Sequence, residues 1–160
     1  MAPQPLPEPL RLQAEVTVRL PLHHCDGCDG CGLRCLEGWE LTQAEFAAIL
    51  DYLETLPPEE VRRVVGQKKT FAWGEGEVPA RFCLFRDVER NNCFIYPVRP
   101  LICRLFGFVE WLPCPLDKVP LVLPDGWEIM RRYAQFERQP WRDWMAVSPR
   151  ARRLVGWASA

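Results

Sequence analysis

Eight cysteines constrain this chain more than any other feature of it. Four form one run, Cys25-x2-Cys28-x2-Cys31-x3-Cys35, and four are spread over the next stretch as Cys83, Cys93, Cys103 and Cys114. Gly27, Gly30 and Gly32, with Asp26 and Asp29, make the run a loop rather than a regular element. Thiols spaced this closely on a glycine-containing turn can aim at one point, and glycines let backbone N–H groups turn toward negatively charged sulfur. Such a count implies disulfides in an oxidising compartment, or metal and redox chemistry in a reducing one. The N-terminus decides between them. Its alternating prolines, Pro3, Pro5, Pro7 and Pro9, come with no basic segment and no apolar run, so it does not read as a secretory signal. No segment approaches a membrane span in length. The expectation is a cytoplasmic chain whose cysteines bind metal.

Thiolates are soft ligands that zinc and iron–sulfur clusters select. The loop spacing equals that of the bacterial ferredoxin run, except that Leu36 stands where that run has proline. In that run a distant cysteine completes the ligand set, and Cys114, followed by Pro115, is the candidate for it here. A zinc site of four cysteines explains the same residues. The eight cysteines allow two four-thiolate sites, or one site plus free thiols. His23 and His24, the only histidines, precede the run as alternative ligands, as second-sphere donors or as a solvent-facing pair. Burying a metal bound by four thiolates, which has a net double negative charge, requires donors or cations nearby. Arg34, Arg99 and Arg104 are close enough in sequence to supply them.

With 160 residues, of which 48% are hydrophobic, the chain fits one domain with a real core. Residues 1–11 read as a flexible proline-rich arm and residues 12–160 as a single cysteine-cluster domain. The fold class expected is α+β and mainly helical, with irregular metal-bound loops and a few short strands. Partial alternation from Leu12 to Leu20 predicts a strand. Thr42 and Glu45 form a capping box for a helix over 43–56, with Leu41 and Phe46 as a hydrophobic staple. Pro58 starts a short helix ended by Gly66, and 67–80 reads as a loop. Strands are expected at 82–85, 93–96 and 108–112, and a helical turn after Pro100. Asp125 with Glu128 predicts a second capping box, Pro140 a helix burying Trp141, Trp144 and Met145, and Ser148-Pro149 a last helix. From Gly126 onward seven arginines stand against Glu128, Glu137 and Asp143, a net +4 that reads as a solvated helix face or as a basic docking surface.

The block Cys93-Phe94-Ile95-Tyr96-Pro97-Val98-Arg99-Pro100-Leu101-Ile102-Cys103-Arg104-Leu105-Phe106, taken with Cys25-x2-Cys28-x2-Cys31 and Cys83-Leu84-Phe85, resembles the CxxCxxCC family of YkgJ-type zinc- or iron-chelating proteins. The resemblance covers about Cys25 to Cys114 and implies metal binding by Cys25, Cys28, Cys31, Cys83, Cys93, Cys103 and Cys114. Cys35 joins them on spacing. The family has a second cysteine directly after the third; Gly32 stands there in this chain, and Cys35 is the replacement on offer. A related cysteine module occurs in flagellin lysine methylases, but no strand, glycine-rich turn and helix for a methyl donor is visible here. Three readings follow. The first is a metal-binding module in which zinc or an iron–sulfur cluster, such as 4Fe–4S, ties the 25–35 loop to the 83–114 segment. The second is an iron–sulfur oxidoreductase or electron carrier. The third is a zinc-stabilised adaptor that offers its basic C-terminal helices to a protein partner; nucleic acid is not indicated. No catalytic residue stands out.

Overall fold

In the computed structural model, residues 5–25, 30–75, 77–120 and 122–156 are described, without the side chains of His24, Cys31, Leu33 and Trp73. Cys28 therefore lies outside the described residues, as do the side chains of Cys31 and His24.

The fold is α+β and mainly helical: seven α-helices among the described residues, with strands only in two-stranded antiparallel ladders. The first helix, α1 (Glu8–Thr17), replaces the strand expected over 12–20 and takes in residues 8–11 of the expected arm. Leu12 and Val16 are buried and Val18 is 85% exposed, so the side chains follow a four-residue helical step and not a two-residue alternation. Two short 3₁₀ turns, Leu22–Cys25 and Gly30–Arg34, hold the described ends of the cysteine run.

Strand β1 (Glu40–Thr42) leads into α2 (Gln43–Glu54) through the expected capping box. The Glu45 amide donates to Thr42 Oγ1 at 3.3 Å, and the Thr42 amide donates to Glu45 Oε2 at 2.8 Å. Helix α3 (Pro58–Val65) has Glu59 and Glu60 in its first turn and Arg62 and Arg63 in its last, each favourable to the helix dipole. The stretch expected as a loop then forms the hairpin β2 (Thr70–Trp73) and β3 (Val78–Arg81). Its turn relies on Gly74 at φ +70° and Glu77 at φ +49°, and Phe71 stacks on Phe82 with ring centroids 4.1 Å apart.

The strands expected at 82–85 and 93–96 are displaced: β4 (Arg86–Asp87) pairs with β5 (Asn92–Cys93). Pairing there is limited to the two residues on either side of a turn, while Phe82 bridges instead to Leu36. Helix α4 (Leu101–Arg104) starts after Pro100 as expected. The single strand expected at 108–112 is a tight ladder of β6 (Phe108–Val109) with β7 (Leu112–Pro113). Helix α5 (Gly126–Tyr133) follows Asp125, but the second capping box does not form. The Asp125 carboxylate is taken by Arg19, at 2.9 Å on one oxygen, and is no longer available to the helix amides. Strand β8 (Arg138–Pro140) pairs with β1 and opens α6 (Trp141–Val147). Helix α7 (Pro149–Val155) is capped by Ser148, whose Oγ accepts from the Ala151 amide at 3.2 Å, and ends at Gly156 in the left-handed region.

Two apolar clusters result. One joins α2, α3, α6 and α7 around Phe46, Ile49, Leu53, Phe85, Ile95 and Met145. The other joins α1, α4, the β6–β7 ladder and α5 around Leu12, Val16, Leu105, Phe108, Ile129 and Tyr133. Trp141 and Trp144 of α6 pack into the core: Trp141 lies edge-on to Phe85 at 4.4 Å, and the Trp144 indole donates to Leu41 O at 2.9 Å, while Trp127 of α5 is 66% exposed.

Candidate metal centre

Five of the described cysteines, Cys25, Cys35, Cys83, Cys93 and Cys103, line one cavity of about 670 Å³. Each arrives from a different local structure. Cys35 follows the second 3₁₀ turn, and its carbonyl accepts from the Cys83 amide at 2.8 Å, so the loop and the 82–83 segment are stitched by backbone. Cys93 ends β5, opposite Arg86. Cys103 sits in α4, whose first amide, that of Leu101, donates to Glu45 Oε1 at 2.7 Å. The six described cysteines are all free of disulfides. Among the described residues, no three His, Cys, Asp or Glu side chains close tightly on a single ion position. The thiols surround a space rather than a point.

Their protonation shows how near they are to one another. A hydrogen bond to Cys83, then burial, pushes the Cys35 thiol far up. That same bond pulls Cys83 down, helped by the Phe85 amide and the Lys69 ammonium. The Cys35 S–H donates to the Cys83 sulfur. Burial and the charge of Cys83 push Cys93 up to about 11. Burial, then Cys83 and Cys93, raise Cys103 well above the ordinary thiol range. Thiols buried this close together would ionise more readily around a shared cation.

The protein supplies cations around them. Arg99 is 9% exposed, with its guanidinium 3.9 Å from the Tyr96 ring centroid. Arg86 is 5% exposed, with its guanidinium 4.8 Å from the Phe82 ring centroid. Nε of Arg86 and Nε and Nη2 of Arg99 are buried with no hydrogen-bond partner, and both residues line the cavity. Buried donors of this kind are costly unless something in the site accepts from them. Lys69 is buried too and donates to Gln67 Oε1 at 3.3 Å and to Arg86 O. Burial lowers its ammonium pKa.

Of the arginines expected to assist, Arg99 and Arg34 line the cavity. Arg104 braces the loop beneath, donating to Arg99 O at 3.0 Å and Pro97 O at 2.7 Å. Arg34 donates to Pro113 O and so links the cysteine loop to the segment just before Cys114. Arg86 and Lys69 escape sequence reasoning: Lys69 is far in sequence from any cysteine, and nothing local marks Arg86 as buried. Cys114 does not line this cavity. Burial pushes its thiol up, but the amides of Lys118, Leu116, Val119 and Asp117 outweigh it and the net shift is down. His23 is exposed and stands off the cavity.

The basic C-terminal stretch is largely committed within the chain. Arg131 pairs with Glu128, Arg132 with Glu15, Arg138 with Glu40, Arg142 with Glu37, and Arg150 with Asp51 and Glu54. Among the described residues no helix is long and apolar enough to cross a membrane.

A family model named CxxCxxCC and described as "Putative zinc- or iron-chelating domain" matches residues 24–134. An uncharacterised protein of Methanocaldococcus jannaschii is 36% identical over 78 residues, a stretch covering 49% of this chain and 42% of that relative. The match thus spans less than half of the relative's length. No solved structure matches the chain.

Proposed function

This chain belongs to the zinc- or iron-chelating CxxCxxCC family, and we propose that it holds a metal–thiolate centre on Cys35, Cys83, Cys93 and Cys103. One observation carries this reading: four neighbouring thiols and two buried arginines with unpartnered N–H groups face the same cavity. Four thiolates on zinc, or on an oxidised 4Fe–4S cluster, leave a net double negative charge, and Arg86 with Arg99 offsets it within the protein. Their free N–H groups are the donors that metal-bound sulfur accepts from.

Four thiolates suit zinc, which draws four sulfurs to about 2.3 Å from one point, and an iron–sulfur cluster alike. The centre would tie the 3₁₀ turn that precedes Cys35 to the 83–103 segment. An iron–sulfur centre adds the capacity to carry electrons, and the N–H donors and burial set its potential. Cys25, which lines the same cavity, is a further ligand candidate there, and Cys28, Cys31 and Cys114 remain candidates for this or a second centre. A reducing compartment such as the cytoplasm suits unpaired thiols of this kind. The adaptor reading is weaker, since five of the seven C-terminal arginines already pair with carboxylates of this chain.

The deciding experiment is purification without oxygen, with a visible spectrum and assays of iron, sulfide and zinc per chain. Brown protein with stoichiometric iron and sulfide supports the cluster. Colourless protein with tightly held zinc keeps the centre and removes electron transfer. Protein that takes up neither metal overturns the proposal.

A further inference from the structure

We infer that Arg86 occupies the place of the thiol missing at position 32, and that Cys35 supplies the displaced ligand from one 3₁₀ turn later. This rests on the metal–thiolate reading above and says how this chain departs from its own family's motif. The family name spells two adjacent cysteines after the second spacer. Here the pair reads Cys31-Gly32.

A side chain at Gly32 has room only if the Arg86 guanidinium moves. A Cβ there would lie 2.6 Å from both Cζ and Nη2 of Arg86, and closer still to Nη1. The guanidinium is not at liberty to swing away. It is 5% exposed, lies over the Phe82 ring and donates through Nη2 to Asn91 Oδ1. A fixed cation therefore fills the volume that a cysteine at 32 would need.

The thiol reappears at a place the backbone makes equivalent. Gly30–Arg34 is a 3₁₀ turn, and the Cys35 amide donates to Gly32 O at 3.2 Å. In 3₁₀ geometry residues i and i+3 stand one above the other on the same side. Cys35 thus emerges on the side where residue 32 would project, and it lines the cavity beside Cys83. The exchange removes a negative ligand from position 32, puts a positive group in its space and keeps a thiol on the same face of the turn.

Two measurements test this. The first is a thermal-melt cycle of Gly32→Ala, Arg86→Ala and the double variant. Gly32→Ala is expected to lower the Tm in the native background and to cost clearly less once Arg86 is truncated. An equal cost in both backgrounds, or none in the native one, overturns the claim that Arg86 fills the space. The second is metal content after anaerobic reconstitution with zinc, and separately with iron and sulfide. Cys35→Ser should lose most of the bound metal, and Cys35→Ser combined with Gly32→Cys and Arg86→Ala should hold clearly more than Cys35→Ser with Arg86→Ala alone. A Cys35→Ser protein that keeps its metal, or a triple variant as empty as Cys35→Ser with Arg86→Ala, overturns the relocation. A native chain that takes up no metal sinks the metal reading itself, and the melt cycle still decides whether Arg86 fills position 32.

Discussion

Glu45 is the residue on which most of the architecture converges. It is 1% exposed, yet its carboxylate accepts from the Thr42 amide and hydroxyl, from the Leu101 amide at 2.7 Å and from the Tyr133 hydroxyl at 2.6 Å. One side chain thereby caps α2, holds the first turn of the Cys103 helix and anchors α5. Burial, then the neighbouring carboxylate, keep the proton on Tyr133. Glu45→Ala would strand several of these donors, at about 1–3 kcal/mol each, and urea denaturation should show a loss of about 3–5 kcal/mol. Tyr133→Phe removes only one partner and should cost about 2 kcal/mol. Equal losses for the two variants would contradict the convergence. Asp87, fully buried, plays a similar part for the turn after Cys83. It accepts from Arg63 at 2.6 Å, from Gln67 at 2.9 Å and from the amides of Glu89 and Arg90. The Arg63 bond holds its carboxyl below the usual range despite burial. A depressed carboxyl pKa stabilises the fold above its unfolded value, about 3.9, and that contribution is lost as pH falls below it. Asp87→Asn should cost about 2 kcal/mol at neutral pH and show a shallower decline from about pH 4 downward. A variant as acid-sensitive as the native chain would rule this out.

At the scale of elements, α1 gives the sharpest contrast between pattern and structure. Leu12, Ala14, Val16, Val18 and Leu20 satisfy a two-residue period, but Leu12, Val16 and Leu20 also satisfy a four-residue one. Packing against α5 and the β6–β7 ladder selects the second and leaves Val18 in solvent. Leu12→Ala should therefore cost about 2–5 kcal/mol, while Val18→Ser should stay within about 0.5 kcal/mol; denaturant melts that show comparable losses would favour the strand. Elsewhere local signals sufficed. The Thr42–Glu45 box, Pro58 with Gly66, Pro100 and Ser148-Pro149 each announce a helix end through groups that satisfy or replace backbone amides nearby. Asp125 failed as a cap because its partner, Arg19, comes from the far end of the chain, and a single sequence does not show such a pairing. The same limit applies to the centre. Spacing marked Cys35, and the family resemblance marked Cys83, Cys93 and Cys103, but Arg86, Lys69 and the position of Cys114 off the cavity depend on long-range folding.

For the whole molecule, the segments that bring Cys35, Cys83, Cys93 and Cys103 to one cavity are held by very little regular structure. β4 and β5 pair over two residues each, α4 is four residues long, and the cysteine loop joins the 82–83 segment through one bridge and a few backbone bonds. Around them sit buried arginine N–H groups without partners, which a native fold tolerates poorly. The proposed metal–thiolate centre would answer both problems, because it would crosslink distant segments and accept from the orphaned donors. Ligands absent as a site from the unfolded chain make metal affinity a contribution to folding free energy. Removing the metal under reducing conditions should then lower the Tm by well over the few degrees of an ordinary point mutation and broaden the transition. Hydrogen exchange should rise first in 30–36, 82–94 and 100–106, where regular structure is sparse, and least in α2, α6 and α7, whose own helical hydrogen bonds do not run through those segments. An apo protein with an unchanged Tm and unchanged exchange in those segments would mean that backbone and core alone hold the cavity open, and that the centre contributes chemistry without contributing to the fold.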